Sequence, residues 1–548
     1  MAQLMGQMMQ MPLLISSLIV HAARHHGDTE IVSKRVEGDI HRYTYAAAER
    51  RARQLAQALA RLGCTAGDRV GTLAWNGYRH FEIYYGSSGS GLVCHTINPR
   101  LFPEQIAWIA NDAEDRVLCF DLTFLPLVEK LAPQLPAVRH FVAMTDRAHM
   151  PVQTTISGLL CYDELVEAER GDYVWPEFDE NTASSICYTS GTTGNPKGAI
   201  YSHRSTVLHA FGVALPDVMA ASARDSVLPV VPMFHVNAWG IAYAAPMVGA
   251  RLVFPGPHLD GKSLYELFES ERVTFSAGVP TVWLGLLNHV QQHGLKFSSF
   301  RRTAIGGSAC PPAMIRALEE DYGVSVTHAW GMTELSPVGT AAGFRAKHAG
   351  LSREARRHLS ESQGWALYGV DMAILGDDGQ ALPWDGKTSG DLVVRGPWVI
   401  SQYFKQDGSP LVECDGKQWF PTGDVATIDP DGFMRITDRS KDVIKSGGEW
   451  ISSIELENIA MSHPAVHEAA VIAAAHPKWD ERPLLVVVKK PGAELSREQI
   501  LGHYEGRIAK WQIPDDVVFV AEIPHTATGK MQKLRLREQL KGHRLPGT

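Results

Sequence analysis

The stretch YTSGTTGNPKG, residues 188–198, puts four Thr or Ser residues, three Gly and one Lys into eleven positions. A segment so poor in apolar side chains cannot enter a core, so it is either a plain turn or a holder for something anionic. Small residues let backbone N–H groups approach phosphate oxygens, Thr and Ser hydroxyls add donors, and Lys197 adds a charge. The Walker pattern does not apply. Counted from Gly191, it requires Gly at 196 and Ser or Thr at 198, where Pro196 and Gly198 stand. The flanking sequence has to decide between the two readings.

Outward from the loop the chain alternates short apolar runs with helical patterns. Upstream lie RVGTLAWN (69–76), RVLCFD (116–121) and HFVAMTD (140–146), separated by amphipathic segments such as PEQIAWIANDAE (103–114). Downstream the same rhythm returns in DSVLPVVPMFH (225–235), RLVFPG, RVTFSAGV and RRTAIGGSA. Such alternation is the signature of βα units feeding parallel sheets. Between about 365 and 437 the texture changes to Gly-rich turns and short β runs, GDLVVRGPWVI and GFMRITDR, which predict an antiparallel or barrel-like piece. After it, helix and strand alternate again over a short final segment. The fold class is therefore α/β: a large N-terminal domain over 1–438, built of stacked α/β sheets and a β-barrel-like piece, and a small C-terminal α+β domain over 439–548.

A chain of 548 residues with 45% hydrophobic and 20% charged residues has ample core for more than one folding unit and the balance of an ordinary globular protein. Its net charge of −8 and the lack of a basic stripe argue against nucleic acid or anionic lipid as partner. Seven scattered cysteines without a C-x-x-C pair suggest neither a disulfide framework nor a zinc site, and fit a reducing, cytoplasmic compartment. The opening MAQLMGQMMQMPLLISSLIVHAARHHG lacks a charged n-region and is interrupted by Ser16 and Ser17. It reads as a surface-packing helix with Leu14, Leu18 and Ala22 on one face, and no apolar run is long enough to span a membrane. The polar stretch 346–364 is expected to be a solvated loop with a helical turn capped by Ser352.

Polar clusters recur at the ends of predicted strands, where α/β proteins collect ligands. GGSA (306–309) offers a flat backbone for a base. HAWGMTE (328–334) supplies the plane of Trp330, the hydroxyl of Thr333 and the carboxylate of Glu334. FPTGD and ITDRSKD add Asp424 and Arg439. Each alone has a plainer reading: Trp330 as core, and the charged residues as solvated or ion-paired. In order, however, YTSGTTGNPKG, PMFH, GGSA, AWGMTE, PTGD, ITDRSKDVIKSGGEWIS and TATGKMQK closely resemble the adenylate-forming acyl-CoA synthetase superfamily, over residues 40–540.

The resemblance implies that Thr189, Ser190, Gly191, Thr192, Thr193 and Lys197 wrap the β and γ phosphates of ATP. Glu334 then binds Mg²⁺ with Thr333 beside it. Asp424 and Arg439 hold the ribose, and Gly307, Ser308, Ala309 and Trp330 bracket the adenine. Where many members carry Tyr, Trp330 keeps a stacking plane and loses the phenolic hydrogen bond. Lys530 matches the lysine that bridges the carboxylate and the α-phosphate. Lys441 matches the pivot of a mobile C-terminal domain, whose rotation brings Gly447 and Gly448 in to line a tunnel for the pantetheine arm of coenzyme A. His235 matches a position beside the acyl carboxylate. The acid itself is expected along Asn237, Trp239, Gly240, Gly278, Val279, Gly306, Gly331 and Met332.

The implied activity is an ATP-dependent acid-thiol ligase of fatty acid metabolism, with ATP, Mg²⁺ and coenzyme A as cofactors, a small carboxylic acid as substrate and a homodimer as a compatible assembly. The N-terminal third looks most like bacterial medium-chain acyl-CoA synthetases and 3-methylmercaptopropionyl-CoA ligases. An aryl acid ligase for benzoate- or cinnamate-type acids is the alternative within the same fold. A catalytically silent ATP-binding module is the alternative of another class, disfavoured because Glu334, Lys530 and Asp424 are all present. Loading of a carrier protein is a further possibility, and free coenzyme A is the better acceptor because no carrier domain follows Lys530.

Overall fold

The computed structural model describes residues 4–189, 195–447, 449–525 and 531–546. Within the large N-terminal domain two parallel sheets stand back to back. One runs, in spatial order, Leu160–Cys161, His140–Ala143, Asp115–Phe120, Arg69–Leu73, Val93–Thr96, Ala183–Tyr188 and Gly198–Ser202, every pairing parallel except the last. In the other, parallel strands Ser325–Gly331, Arg302–Ile305, Phe275–Gly278, Ser226–Pro229, Arg251–Phe254 and Glu30–Lys34 lie side by side, with antiparallel strands added at both edges.

Between the sheets lie helices whose burial matches their sequence. Every residue of Tyr78–Gly89 is buried, whereas the amphipathic Ile15–His25 keeps Ser17, His21, Arg24 and His25 exposed and buries Leu18 and Ala22 of the expected face, with Leu14 buried just before it and Ile15 and Ile19 alongside. The expected strand over 225–235 is shorter. It stops at Pro229, because prolines at 229 and 232 remove the N–H groups a ladder needs. The polar stretch 346–364 is more ordered than a loop: Ser352 caps a nine-residue helix, Arg353–Glu361, by accepting from the Ala355 N–H.

The Gly-rich region forms the expected antiparallel piece, with strands Asp371–Leu375, Gly390–Arg395, Lys417–Ile428, Val412–Cys414 and Met434–Arg439. In the C-terminal domain, long strands Val466–His476 and Asp480–Lys489 form a hairpin, joined by Ile444–Ser446, Glu449–Ile451 and Asp516–Phe519. Separate hydrophobic clusters pack on its two faces, one around Leu456, Ile500 and Tyr504 and the other around Ile472, Ile523 and Leu536. All seven cysteines are free thiols, and all but Cys64 are buried. Burial pushes the Cys64 and Cys187 thiols up to about 11 and that of Cys310 to about 12.

Candidate active site

Tyr188 and Gly198 pair across an antiparallel hairpin, and the Thr-rich loop is its connection. The base is closed by Thr189 N–H donating to the Lys197 carbonyl (2.9 Å) and Lys197 N–H donating to Thr189 Oγ1 (3.2 Å). Ser190, Gly191, Thr192 and Thr193 lie outside the described residues, as do Gly448 and Lys530. Tyr188 anchors the loop by donating its phenol to Asp112 Oδ2 at 2.6 Å.

Facing the hairpin is the turn that follows strand Ser325–Gly331. Here the chain reverses through Met332 and a short helical turn, Thr333–Leu335, before pairing back as Val338–Ala341. The reversal is tight enough that a methyl on Gly331 would lie 2.2 Å from the Pro337 carbonyl oxygen, which explains a glycine here. Tyr201, on the hairpin's return strand, donates to the Thr333 carbonyl at 2.6 Å and so fixes the turn against the loop. Glu334 is buried, and its Oε1 accepts from the Tyr403 phenol at 2.6 Å. Lys197 is exposed, with its ammonium 4.9 Å from the Tyr403 ring centroid. A carboxylate and an ammonium thus both meet Tyr403.

Trp330 sits at the end of the same strand, with room made by Gly339 on its neighbour, where a Cβ would lie 2.6 Å from the indole. Its Nε1–H donates to Asp424 Oδ2 at 2.9 Å, while the Arg439 Nε lies 2.8 Å from Asp424 Oδ1. Asp424 and Arg439 face each other across adjacent strands, so the sheet register itself creates the pair. The indole therefore supplies a donor of its own where a phenolic bond was expected to be lost. Gly307, Ser308 and Ala309 are exposed beside this group and leave an open backbone floor.

On the third side, Gly306 and Gly307 lie under Trp239: a Cβ on Gly306 would come within 3.2 Å of its indole, and one on Gly307 within 3.0 Å of Val279 Cγ1. Trp239 closes a left-handed turn in which Val236, Asn237, Ala238 and Trp239 have φ of 47°, 51°, 51° and 55°. Gly240 follows at φ 79°, and Gly278 packs against Trp283. Asn237 is buried with its amide bonded to Ser185 Oγ (3.0 Å) and approached by the Cys187 thiol, so it fastens the turn to strand Ala183–Tyr188. His235 is half-buried at the start of the turn.

The structure thus links Thr189, Lys197, Thr333, Glu334, Trp330, Asp424 and Arg439 through contacts among the hairpin, the turn and the antiparallel piece, and packs Gly306 and Gly307 against Trp239 and Val279. Gly447 belongs to the C-terminal sheet, with its N–H donating to the Trp479 carbonyl at 3.0 Å, and Lys441 lies exposed in the turn after Arg439. Sequence patterns missed Tyr403 and Tyr201; each is a single aromatic residue in a run with no diagnostic spacing. For a metal, the donor set suits a hard cation: Mg²⁺ takes one or two carboxylates together with substrate phosphates and water, and Glu334 offers such a carboxylate. Another cluster of potential ligands, Glu37, Asp146 and His149, is an ion-pair knot in which Arg79 donates to Glu37 and Arg35 to Asp146.

The base of the Thr-rich hairpin with Lys197, the buried Glu334, the Trp330 indole bonded to Asp424 and the Trp239 indole packed on Gly306 are thus set out by the fold. The chain belongs to the AMP-binding enzyme family, whose model matches residues 19–404, and the model of the AMP-binding enzyme C-terminal domain matches residues 455–530. It is 57% identical over 538 residues to a 3-methylmercaptopropionyl-CoA ligase of Ruegeria lacuscaerulensis, covering 98% of this chain and 99% of the relative. It is 54% identical to a medium-chain-fatty-acid–CoA ligase of Ectopseudomonas oleovorans, covering 98% and 97%. Among solved structures, the anthranilate CoA ligase AuaEII in complex with anthranoyl-AMP matches with a TM-score of 0.84 at 25% identity, covering 97% and 98%. The chain is an AMP-forming acid-thiol ligase, an acyl-CoA synthetase. No helix among the described residues is long and apolar enough to cross a membrane.

Proposed function

We propose that this ligase activates a short- to medium-chain apolar carboxylic acid, with 3-methylmercaptopropionate as a specific candidate. The observation that carries this reading is the Trp239 indole packed closely over Gly306 and Gly307, a bulky side chain that would shorten an acyl channel there. The 57% identity to a ligase for that sulfur-containing acid supports it.

In this reading the carboxylate attacks the α-phosphorus of ATP, the bond to the pyrophosphate breaks, and acyl-AMP forms. Two anions must meet, so positive charge and fixed geometry are the main requirements. Lys197 and the loop residues Thr189, Ser190, Gly191, Thr192 and Thr193 hold the β and γ phosphates. Glu334, beside Thr333, holds Mg²⁺, which supplies charge neutralisation when bound. Asp424 and Arg439 orient the ribose, and Trp330 with Gly307, Ser308 and Ala309 encloses the adenine. The acid lies along Val279, Gly278, Gly306, Gly331, Met332, Trp239 and Gly240 with His235 at its head, and Asn237 fastens the turn that carries Trp239. Lys530 bridges the two reacting anions. In the second step the coenzyme A thiol attacks the acyl carbon and AMP leaves. The residues beyond Lys441 turn as a unit about it to exchange Lys530 for Gly447 and Gly448, which line the pantetheine passage.

The test is a panel of acids from acetate to palmitate, with sulfur-containing and aromatic members, ranked by kcat/KM. A maximum between butyrate and octanoate, or at 3-methylmercaptopropionate, is expected. A maximum at palmitate, or at benzoate- or cinnamate-type acids, would overturn the assignment.

A further inference from the structure

Residues 398–404 form a strap that joins the two halves of the phosphate end of the cleft. At one end Ser336 Oγ donates to the Trp398 carbonyl (3.0 Å), Trp398 Nε1 donates to the Val338 carbonyl (3.2 Å), and Ile400 N–H donates to the Glu334 carbonyl (2.9 Å). At the other end Phe404 N–H donates to the Gly198 carbonyl at 2.8 Å, next to Lys197. Just beyond, Lys405 donates to the Asp112 carbonyl at 2.7 Å and pairs with Glu114 at 2.5 Å. Asp112 is also the acceptor for Tyr188, at the base of the loop. Between these fixed points only Tyr403 reaches toward both charged groups, its phenol on Glu334 and its ring beneath Lys197.

We propose that Tyr403 is a positioning residue for magnesium-nucleotide binding: its hydroxyl sets the rotamer of Glu334, and its ring seats the ammonium of Lys197. The inference rests on the reading that Glu334 serves the metal and Lys197 the phosphates. A phenol on Oε1 commits that oxygen, so Oε2 is left to serve a cation. A carboxylate held this way loses no rotamer freedom when the cation arrives, which is how outer partners raise metal affinity. The ring face acts separately: it holds the lysine by cation–π attraction without neutralising it, leaving its charge for an anion.

The experiment compares Tyr403→Phe, Tyr403→Leu and Glu334→Gln with the wild type. It reads ATP binding by calorimetry with Mg²⁺ and with EDTA, together with thermal midpoints. Tyr403→Phe retains ring and packing and is expected to weaken binding of the Mg²⁺ complex about 10-fold, with metal-free ATP binding, melting temperature and the KM for the acid unchanged. Tyr403→Leu is expected to weaken metal-free ATP binding as well. In the double variant Tyr403→Phe/Glu334→Gln the effects should not add. If Glu334→Gln loses the magnesium dependence while Tyr403→Phe binds like the wild type, the role of Tyr403 is overturned and that of Glu334 stands. If Glu334→Gln itself binds the magnesium complex normally, the reading of Glu334 falls and takes the inference with it. Equal loss with and without metal in Tyr403→Phe would also overturn it.

Discussion

Among its described contacts, Asp424 accepts a hydrogen bond from the neutral indole of Trp330 and forms an ion pair with the guanidinium of Arg439. The indole bond is directional and buried, whereas the Arg439 side chain is half exposed and correspondingly screened. Trp330 therefore orients the carboxylate that is proposed to meet the ribose hydroxyls. Trp330→Phe keeps an aromatic plane and removes the donor; the Kd for ATP is expected to rise about 10-fold, the equivalent of about 1.5 kcal/mol for a hydrogen bond to a charged acceptor. Calorimetry decides it, and an unchanged Kd would leave Arg439 as the orienting group. Trp330, Asp424 and Arg439 were each legible in the sequence as members of motifs. The bond between Trp330 and Asp424 was not, because a sequence does not reveal which side chains meet when they stand 94 positions apart. Tyr403 was invisible for a related reason: its chemistry comes entirely from two partners that folding brings to it.

At the scale of elements, the helix His203–Ala214 and the left-handed turn 236–239 show what patterns convey and what they omit. The helix carries His209, whose Nε2 accepts from the Val338 N–H at 3.1 Å and whose ring lies edge-on to Trp398. An imidazole accepting there must be neutral, and burial lowers its pKa to about 3 from the ordinary 6.5. The unfolded chain takes up a proton below pH 6.5 that the native state refuses until about pH 3. Stability is therefore full above 6.5 and falls as the pH is lowered through that window. His209→Gln keeps an acceptor without a titration, so from pH 7 to pH 5 it should lose about 2 kcal/mol less stability than the wild type. Melting temperatures at the two pH values test it, and parallel losses would refute the neutral, buried imidazole. His80, His203 and His328, each lowered to about 4 by burial, add to the same acid sensitivity in both proteins. Strand positions were readable from alternation, as at Arg69–Leu73 and Asp115–Phe120. The left-handed turn was not. Its four residues have ordinary side chains, and the conformation, which costs about 1–2 kcal/mol per residue, persists because the surrounding core and the Asn237 amide fix it.

For the whole molecule, the decisive contacts are those that cross the proposed pivot at Lys441. Asp438, ending the antiparallel piece, accepts from Ser453 N–H at 2.5 Å and from Ser453 Oγ at 2.9 Å, while Ser452 Oγ donates to the Thr437 carbonyl. Ser453 begins the first helix of the C-terminal domain, and its hydroxyl also accepts from Lys533, which pairs with Glu457 at 2.6 Å. Turning about Lys441 breaks the bonds to Asp438 and spares those among Ser453, Lys533 and Glu457, so the first set favours one pose over another. Asp438→Ala is expected to change the ratio of acyl-adenylate formation to thioester formation by more than about 3-fold, since even a modest difference in pose energy shifts the populations. Equal slowing of both half-reactions, measured separately from ATP and from supplied acyl-adenylate, would show that these bonds carry no preference. The division into a large α/β body, an antiparallel piece and a small α+β domain was legible from the change in sequence texture. The spatial order of strands, such as Arg69–Leu73 lying between Asp115–Phe120 and Val93–Thr96, was not, because local periodicity carries no record of which neighbours pair.

The buried sulfhydryls have a practical corollary. Thiolate, not thiol, attacks a chromogenic disulfide reagent; six of the seven thiols are sealed inside the fold, and the half-buried Cys64 is pushed up to about 11, so the native chain supplies almost none near neutrality. Disappearance of the acceptor's own sulfhydryl can therefore be followed colorimetrically in the presence of the native enzyme, and a slow rise in reactive groups in such a sample would report unfolding rather than turnover.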